Sequence, residues 1–160
     1  MKTFLRVLAP ALLAAVLLPA AAAAAPPKLQ RCDLGLPRPF RCGAIEQPIR
    51  RAEPGLGTTR VAFALRPRAD RSRPALGTIV AIDGGPGYAS TSAPFARSLI
   101  AMLAPLLRRH DLVLFDARGT GRSDVVSCPA LQRGLTPEAI AVGECANRLG
   151  PRFAGYTTGE

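Results

Sequence analysis

Two apolar runs, each ending in a glycine-rich loop, constrain this chain more than any other feature. The first is "GTIVAIDGGPGYAS", residues 77–90, and the second is "HDLVLFDARGTGRSD", residues 110–124. Ile79, Val80 and Ile82 make the first run β-branched and almost continuously apolar, as Leu112 to Phe115 do the second; that pattern predicts strands buried on both faces. Between them, Leu99, Met102, Leu103, Leu106 and Leu107 recur at helical spacing. Pro94 suits the first helical turn, and Pro105 ends or kinks the helix. Strand, glycine loop, helix, strand and glycine loop make a βαβ unit. It predicts an α/β fold with a mostly parallel sheet and flanking helices on both faces. Ligands in such sheets sit at the carboxyl ends of the strands, where both loops fall.

Upstream, "TTRVAFALRPR" alternates at Val61, Phe63 and Leu65, the signature of a half-buried strand. The Pro- and Gly-rich stretch before it predicts a stapled segment, with one short strand around residues 43–49. "ADRSRPAL" reads as a turn, and a helix is expected from about Thr136 to Leu149. Residues 1–25 read as a secretory signal peptide: Lys2 and Arg6 precede an apolar run that closes in alanines. A membrane-spanning helix needs about 20 strongly apolar residues. Pro10, Pro19 and the alanines dilute this run, so cleavage near Ala25 is expected, leaving a secreted or periplasmic chain without a membrane anchor. The expected organisation is therefore a signal at 1–25, the stapled segment at 26–57, and the principal domain at 58–160.

Cleavage would remove two cations and no acid, lowering the net charge from +10 to +8. The arginines are scattered along the sequence without interleaved aromatics, so no nucleic-acid partner is expected. Cys32, Cys42, Cys128 and Cys145 are an even set in an exported chain and allow three disulfide pairings. The local pairs, Cys32 with Cys42 and Cys128 with Cys145, close the shortest loops and are the expected ones. Zinc would need tighter spacing and histidine partners. The one histidine is His110, so no metal is expected.

The glycine loops carry the chemistry. Glycine tolerates positive φ and close approach by another group. Gly84 and Gly85 follow directly on a strand, where their amides lose strand partners and can face a cleft. Two such N–H groups can stabilise negative charge developing on an oxygen. Pro86 stiffens the turn. A dinucleotide fingerprint (G-x-G-x-x-G) and a P-loop (G-x-x-x-x-G-K-[ST]) both fail on spacing, so no cofactor is expected.

Together, "IDGGPGYAS" and "DARGTGRSD" resemble the α/β-hydrolase superfamily, in particular the exported prolyl iminopeptidase and tripeptidyl aminopeptidase group. That group carries (H)GGPG after one strand and D-x-R-G-x-G-x-S after the next. Asp83 stands where the histidine is often found. The resemblance implies that Gly85, with Gly84, donates to an oxyanion and that the Gly85–Pro86 bond is cis. Asp83, Pro86, Gly87, Tyr88, Asp116, Arg118, Gly119 and Gly121 would shape the pocket. Asp116 and Arg118 are expected to act by hydrogen-bonding the loop in place, Tyr88 either lines the pocket or covers the sheet, and Ser123 and Asp124 read as turn or cap residues.

The resemblance also implies a Ser–acid–His triad, with the serine on a G-x-S-x-G elbow. No such elbow occurs in these 160 residues, and His110 reads as a polar residue opening its strand. The expectation is an amino-terminal part of an exported serine hydrolase, truncated before the nucleophile elbow. Its full-length form would act on peptide amino termini or small esters, while the isolated chain would fold poorly and be inactive. The competing expectation is a complete, basic, disulfide-stapled binding module without catalysis.

Overall fold

The structure, a computed structural model, describes residues 25–33, 35–85 and 87–156. The signal expected at residues 1–25 lies outside them apart from Ala25, as do Pro86, the expected cis bond before it, and residues 157–160.

The described residues form a mixed five-stranded sheet with helices. Its strands are β1 (Gln30–Arg31), β2 (Arg41–Pro48), β3 (Thr58–Arg66), β4 (Gly77–Ala81) and β5 (His110–Phe115), in the order β1-β2-β3-β5-β4. Helix α1 (Ala93–Leu103) joins β4 to β5, and α2 (Pro129–Arg133) and α3 (Glu138–Leu149) follow.

The expected parallel sheet is corrected in one respect. Only β4 and β5 are parallel; β1–β2, β2–β3 and β3–β5 are antiparallel. The physical reason is the connection. A short Pro/Gly-bearing connection, residues 49–57, links β2 to β3, so they pair as a hairpin in register from Arg41 opposite Leu65 to Pro48 opposite Thr58, whereas parallel neighbours need a crossover. Among the described residues there is one such crossover, through α1.

Burial on both faces is also corrected. On one face, Leu112 and Leu114 are fully buried with Ala64, Phe40, Ala96, Leu99 and Leu107. This is the α1 side. The helix starts where Ser92 Oγ accepts from Phe95 N at 3.4 Å, a side-chain cap. It stops at Leu103, ahead of Pro105, which has no N–H to continue the helical hydrogen bonds. On the other face, Ile45, Val61, Phe63, Val113 and Phe115 line an open groove of about 930 Å³ in place of a helix interface. β4 is a sheet edge, and Val80 is 61% exposed.

Two disulfides join Cys32 to Cys42 and Cys128 to Cys145, as expected from the local spacing. They fit an oxidising, extracytoplasmic setting. No helix among the described residues is long and apolar enough to cross a membrane. The first disulfide pins the segment before β2 to the core, where Cys42 is buried beside Phe40. Replacing both Cys32 and Cys42 by serine is expected to cost about 2–3 kcal/mol through the released 10-residue separation. Urea unfolding at sub-micromolar chain concentration checks it.

Candidate functional site

β4 and β5 are parallel neighbours, so the loops that leave their carboxyl ends emerge side by side. Residues 82–90 form the first loop and 116–124 the second. The register Ala81 opposite Leu114 puts both at one rim.

The first loop is tied at its base, where Asp83 N donates to the Oγ of fully buried Ser90 at 2.8 Å. Above that anchor the glycines carry few internal bonds. Tyr88 N reaches Gly85 O at 3.4 Å. Among the described residues, neither the Gly84 nor the Gly85 amide donates to a protein acceptor. Gly85 sits at φ +80° and Gly87 at φ +97°, a region that favours glycine. A Cβ on Gly84 would meet nothing within 4 Å, whereas one on Gly85 would meet the Tyr88 ring at 3.0 Å. Tyr88 is 70% exposed, so of its two expected roles, covering the sheet is not one it fills.

The second loop is a closed network around Asp116, whose side chain is fully buried. Its Oδ1 accepts from Thr91 N at 2.9 Å, and its Oδ2 from Thr91 Oγ1 at 2.8 Å and Arg122 N at 2.9 Å. One carboxylate therefore binds the end of the first loop to the turn of the second. Ser123, also fully buried, donates from Oγ to Asp116 O and accepts from Ala62 N, both at 2.8 Å. It bridges the loop to β3, a larger part than a turn residue plays. The Asp124 carboxylate accepts from Arg60 N at 2.8 Å, and Arg118 Nη1 donates to Ile49 O at 2.8 Å. Gly119 closes the loop, donating to Ser123 O at 2.8 Å and accepting from Val126 N at 2.9 Å.

Gly121, at φ +54°, is where the two loops touch. A Cβ there would fall on the Asp116 carboxylate and lie 3.0 Å from Ala89 Cβ. Gly121→Ala is expected to cost about 2–3 kcal/mol, from backbone strain plus displacement of a buried carboxylate. Its urea midpoint should fall well below that of Gly84→Ala, where the space is open.

Gly87, Arg118, Thr120 and Tyr156 close the end of the apolar groove nearest this rim. The groove therefore runs from the open sheet face to the base of the two loops, where Ile82, Gly87, Asp116 and Arg118 line it. Amides without protein acceptors can hold an oxygen that gains negative charge.

No family model matches the chain. It is 31% identical over 97 residues, 60% of its length, to a tripeptidyl aminopeptidase of Streptomyces coelicolor (strain ATCC BAA-471 / A3(2) / M145). Over the same span it is 30% identical to a tripeptidyl aminopeptidase of Streptomyces lividans. The chain is distantly related to hydrolases. The matched stretch spans 18% of the length of each of those relatives. Among solved structures, the PEG-bound complex of a cold-adapted esterase from an Arctic intertidal metagenomic library aligns with 78% of this chain and 50% of that one. The identity is 16% and the TM-score 0.32.

His110 stands at the amino end of β5, the end away from the glycine loops, and its Nδ1 lies 3.0 Å from Leu106 O. Among the described residues, no three His, Cys, Asp or Glu side chains gather in a way that could hold a metal ion. Sequence reasoning missed Thr91 and Ser90 as the anchors of the first loop. Their signal was a polar "STS" run two residues after the last glycine of the loop, inside an otherwise apolar unit.

Proposed function

We propose that this chain is the amino-terminal, oxyanion-donating part of a longer exported serine hydrolase acting on peptide amino termini. The observation that carries the reading is the pair of amides at Gly84 and Gly85. Among the described residues they have no protein acceptor, and they stand at the carboxyl end of β4, in a loop that the Asp116 carboxylate ties to its neighbour. In the reaction, Gly85 N–H, with Gly84 N–H, would hold the carbonyl oxygen as it becomes an oxyanion during acyl transfer. One such donor contributes about 10²–10³ in rate. Asp116, Ser123 and Gly121 act only through the loop, by setting where those amides point. The peptide substrate lies along the apolar groove.

The names of the two curated relatives support peptidase over esterase. The attacking serine, its acid and its base would come from polypeptide beyond these residues. The test takes the reading frame past Glu160 and expresses the joined polypeptide. The expected result is a G-x-S-x-G elbow followed by Asp and His, with release of tripeptides or single residues from anilide substrates that a serine-directed reagent abolishes. Turnover of short esters alone would move the assignment to esterases. A stop codon directly after Glu160, with a monomeric and cooperatively melting chain, would overturn it.

A further inference from the structure

We infer, resting on the hydrolase reading above, that Asp83 receives the α-ammonium of the substrate's first residue, so that the full-length enzyme releases single amino-terminal residues rather than tripeptides. The starting observation is a carboxylate without a partner. Among the described residues, Asp83 is the one half-buried or buried acid whose side chain meets no hydrogen-bond donor and no cation. Asp70 accepts from Ser72, Asp111 pairs with Arg68, and Asp116 accepts from Thr91 and Arg122 N. Glu46, Glu138 and Glu144 also lack partners, but they are exposed and water solvates them. A charge partly withdrawn from water gains most from a cation brought to it.

The placement of Asp83 says which cation. Its backbone is fixed, because Asp83 N donates to the Oγ of fully buried Ser90 at 2.8 Å. The two residues that follow are Gly84 and Gly85, whose amides would hold the oxyanion. Successive Cα atoms are about 3.8 Å apart, so the carboxylate springs from a point one to two residues from those donors. A Cβ on Gly84 would meet nothing within 4 Å, so the space beside it is open to a ligand.

The α-nitrogen and the carbonyl oxygen of one residue are three bonds apart, about 3 Å across. With that oxygen on the Gly85 amide, the ammonium of the same residue comes within reach of the Asp83 carboxylate. In a bound tripeptide unit the ammonium stands two residues further back, about 7 Å along an extended chain, and out of reach. An acylated amino terminus would bring a neutral amide to the carboxylate, and hydrogen bonds between ionised partners are roughly twice as strong as neutral ones. The site therefore selects a free amino terminus directly at the bond that is cut.

The test uses the polypeptide joined past Glu160. It measures kcat and KM for alanine p-nitroanilide, N-acetylalanine p-nitroanilide and trialanine p-nitroanilide. Wild type is expected to prefer the free alanine substrate to both others. Asp83→Asn keeps the shape and removes the charge. It is expected to lower the preference for free over acetylated alanine by about 10–100-fold, mainly through a higher KM, because bound substrate makes the contact as well as the transition state. Asp83→Ser, which also removes the charge, should repeat the loss. If Asp83 only shaped the loop, both substrates would slow alike and their ratio would stand, which would overturn the inference while leaving a working hydrolase. A wild-type preference for the trialanine substrate would overturn it in the same way. Absence of serine-dependent hydrolysis of all three would remove the hydrolase reading, and this inference with it.

Discussion

Asp116→Ala is expected to destabilise the fold by about 3–5 kcal/mol. Its carboxylate is fully buried and accepts three hydrogen bonds, from Thr91 N, Thr91 Oγ1 and Arg122 N. Among the described residues no cation pairs with it, so its charge is held by N–H and O–H dipoles alone. Bonds to a charged acceptor contribute about 1.5–3 kcal/mol each, and a buried donor left bare costs about 1–3 kcal/mol. Alanine would strand two amides and a hydroxyl between the loops. Some would recover water as the loops part, which brings the sum down to the stated range. Asp116→Asn keeps one acceptor oxygen and turns the other position into a donor facing donors. It is expected to lie between wild type and alanine. Asp83→Asn is the control, because Asp83 is anchored through its backbone N–H rather than its carboxylate, and it should stay within about 0.5 kcal/mol of wild type. Urea unfolding at sub-micromolar concentration gives the order. An alanine variant within about 1 kcal/mol of wild type would mean that the carboxylate does not hold the two loops together.

Much of the βαβ unit was legible because its signals are local. The run from Thr78 to Ile82 is β-branched, Pro94 sits in the first helical turn, and Leu99 falls on the buried side of α1. Strand direction was not legible. An apolar run records how much of a strand is covered, not which neighbour it takes, and Val80 shows that such a run can occupy an uncovered edge. The hairpin of β2 and β3 depends on a nine-residue connection whose Pro and Gly content read as irregular chain. α2 escaped notice because five residues are too few for a 3.6-residue period. Its punctuation was present, with Pro129 opening it and Gly134 closing it at φ 65°. The glycines at 84, 85 and 121 pointed to a ligand-facing rim. The Thr91–Asp116 tie, spanning 25 positions, had no local signature.

The isolated chain is expected to self-associate at micromolar concentration, through the uncovered sheet face and the β4 edge. Ile45, Val61, Phe63, Val113 and Phe115 line the open side of the sheet. Val80 and Ile82 extend it to the edge, 61% and 49% exposed. β4 carries none of the devices that keep natural edges apart: Gly77 to Ala81 holds no lysine, no proline and no charge. Contiguous apolar surface beside unpaired strand amides is a template for another chain. Val80→Lys/Ile45→Lys places a charge on the edge and another on the far side of the groove, at positions already 61% and 40% exposed. Each substitution removes apolar contact worth roughly 1 kcal/mol in an associated state, so the pair should raise the midpoint of association by about tenfold or more. Folded stability should change little, because neither side chain belongs to the buried core. Sedimentation velocity across a concentration series reads the midpoint, and circular dichroism confirms the fold. A wild-type chain that stays monomeric at high micromolar concentration would show that this face is stable in water, and the proposal that further polypeptide of a longer hydrolase covers it would lose its physical basis.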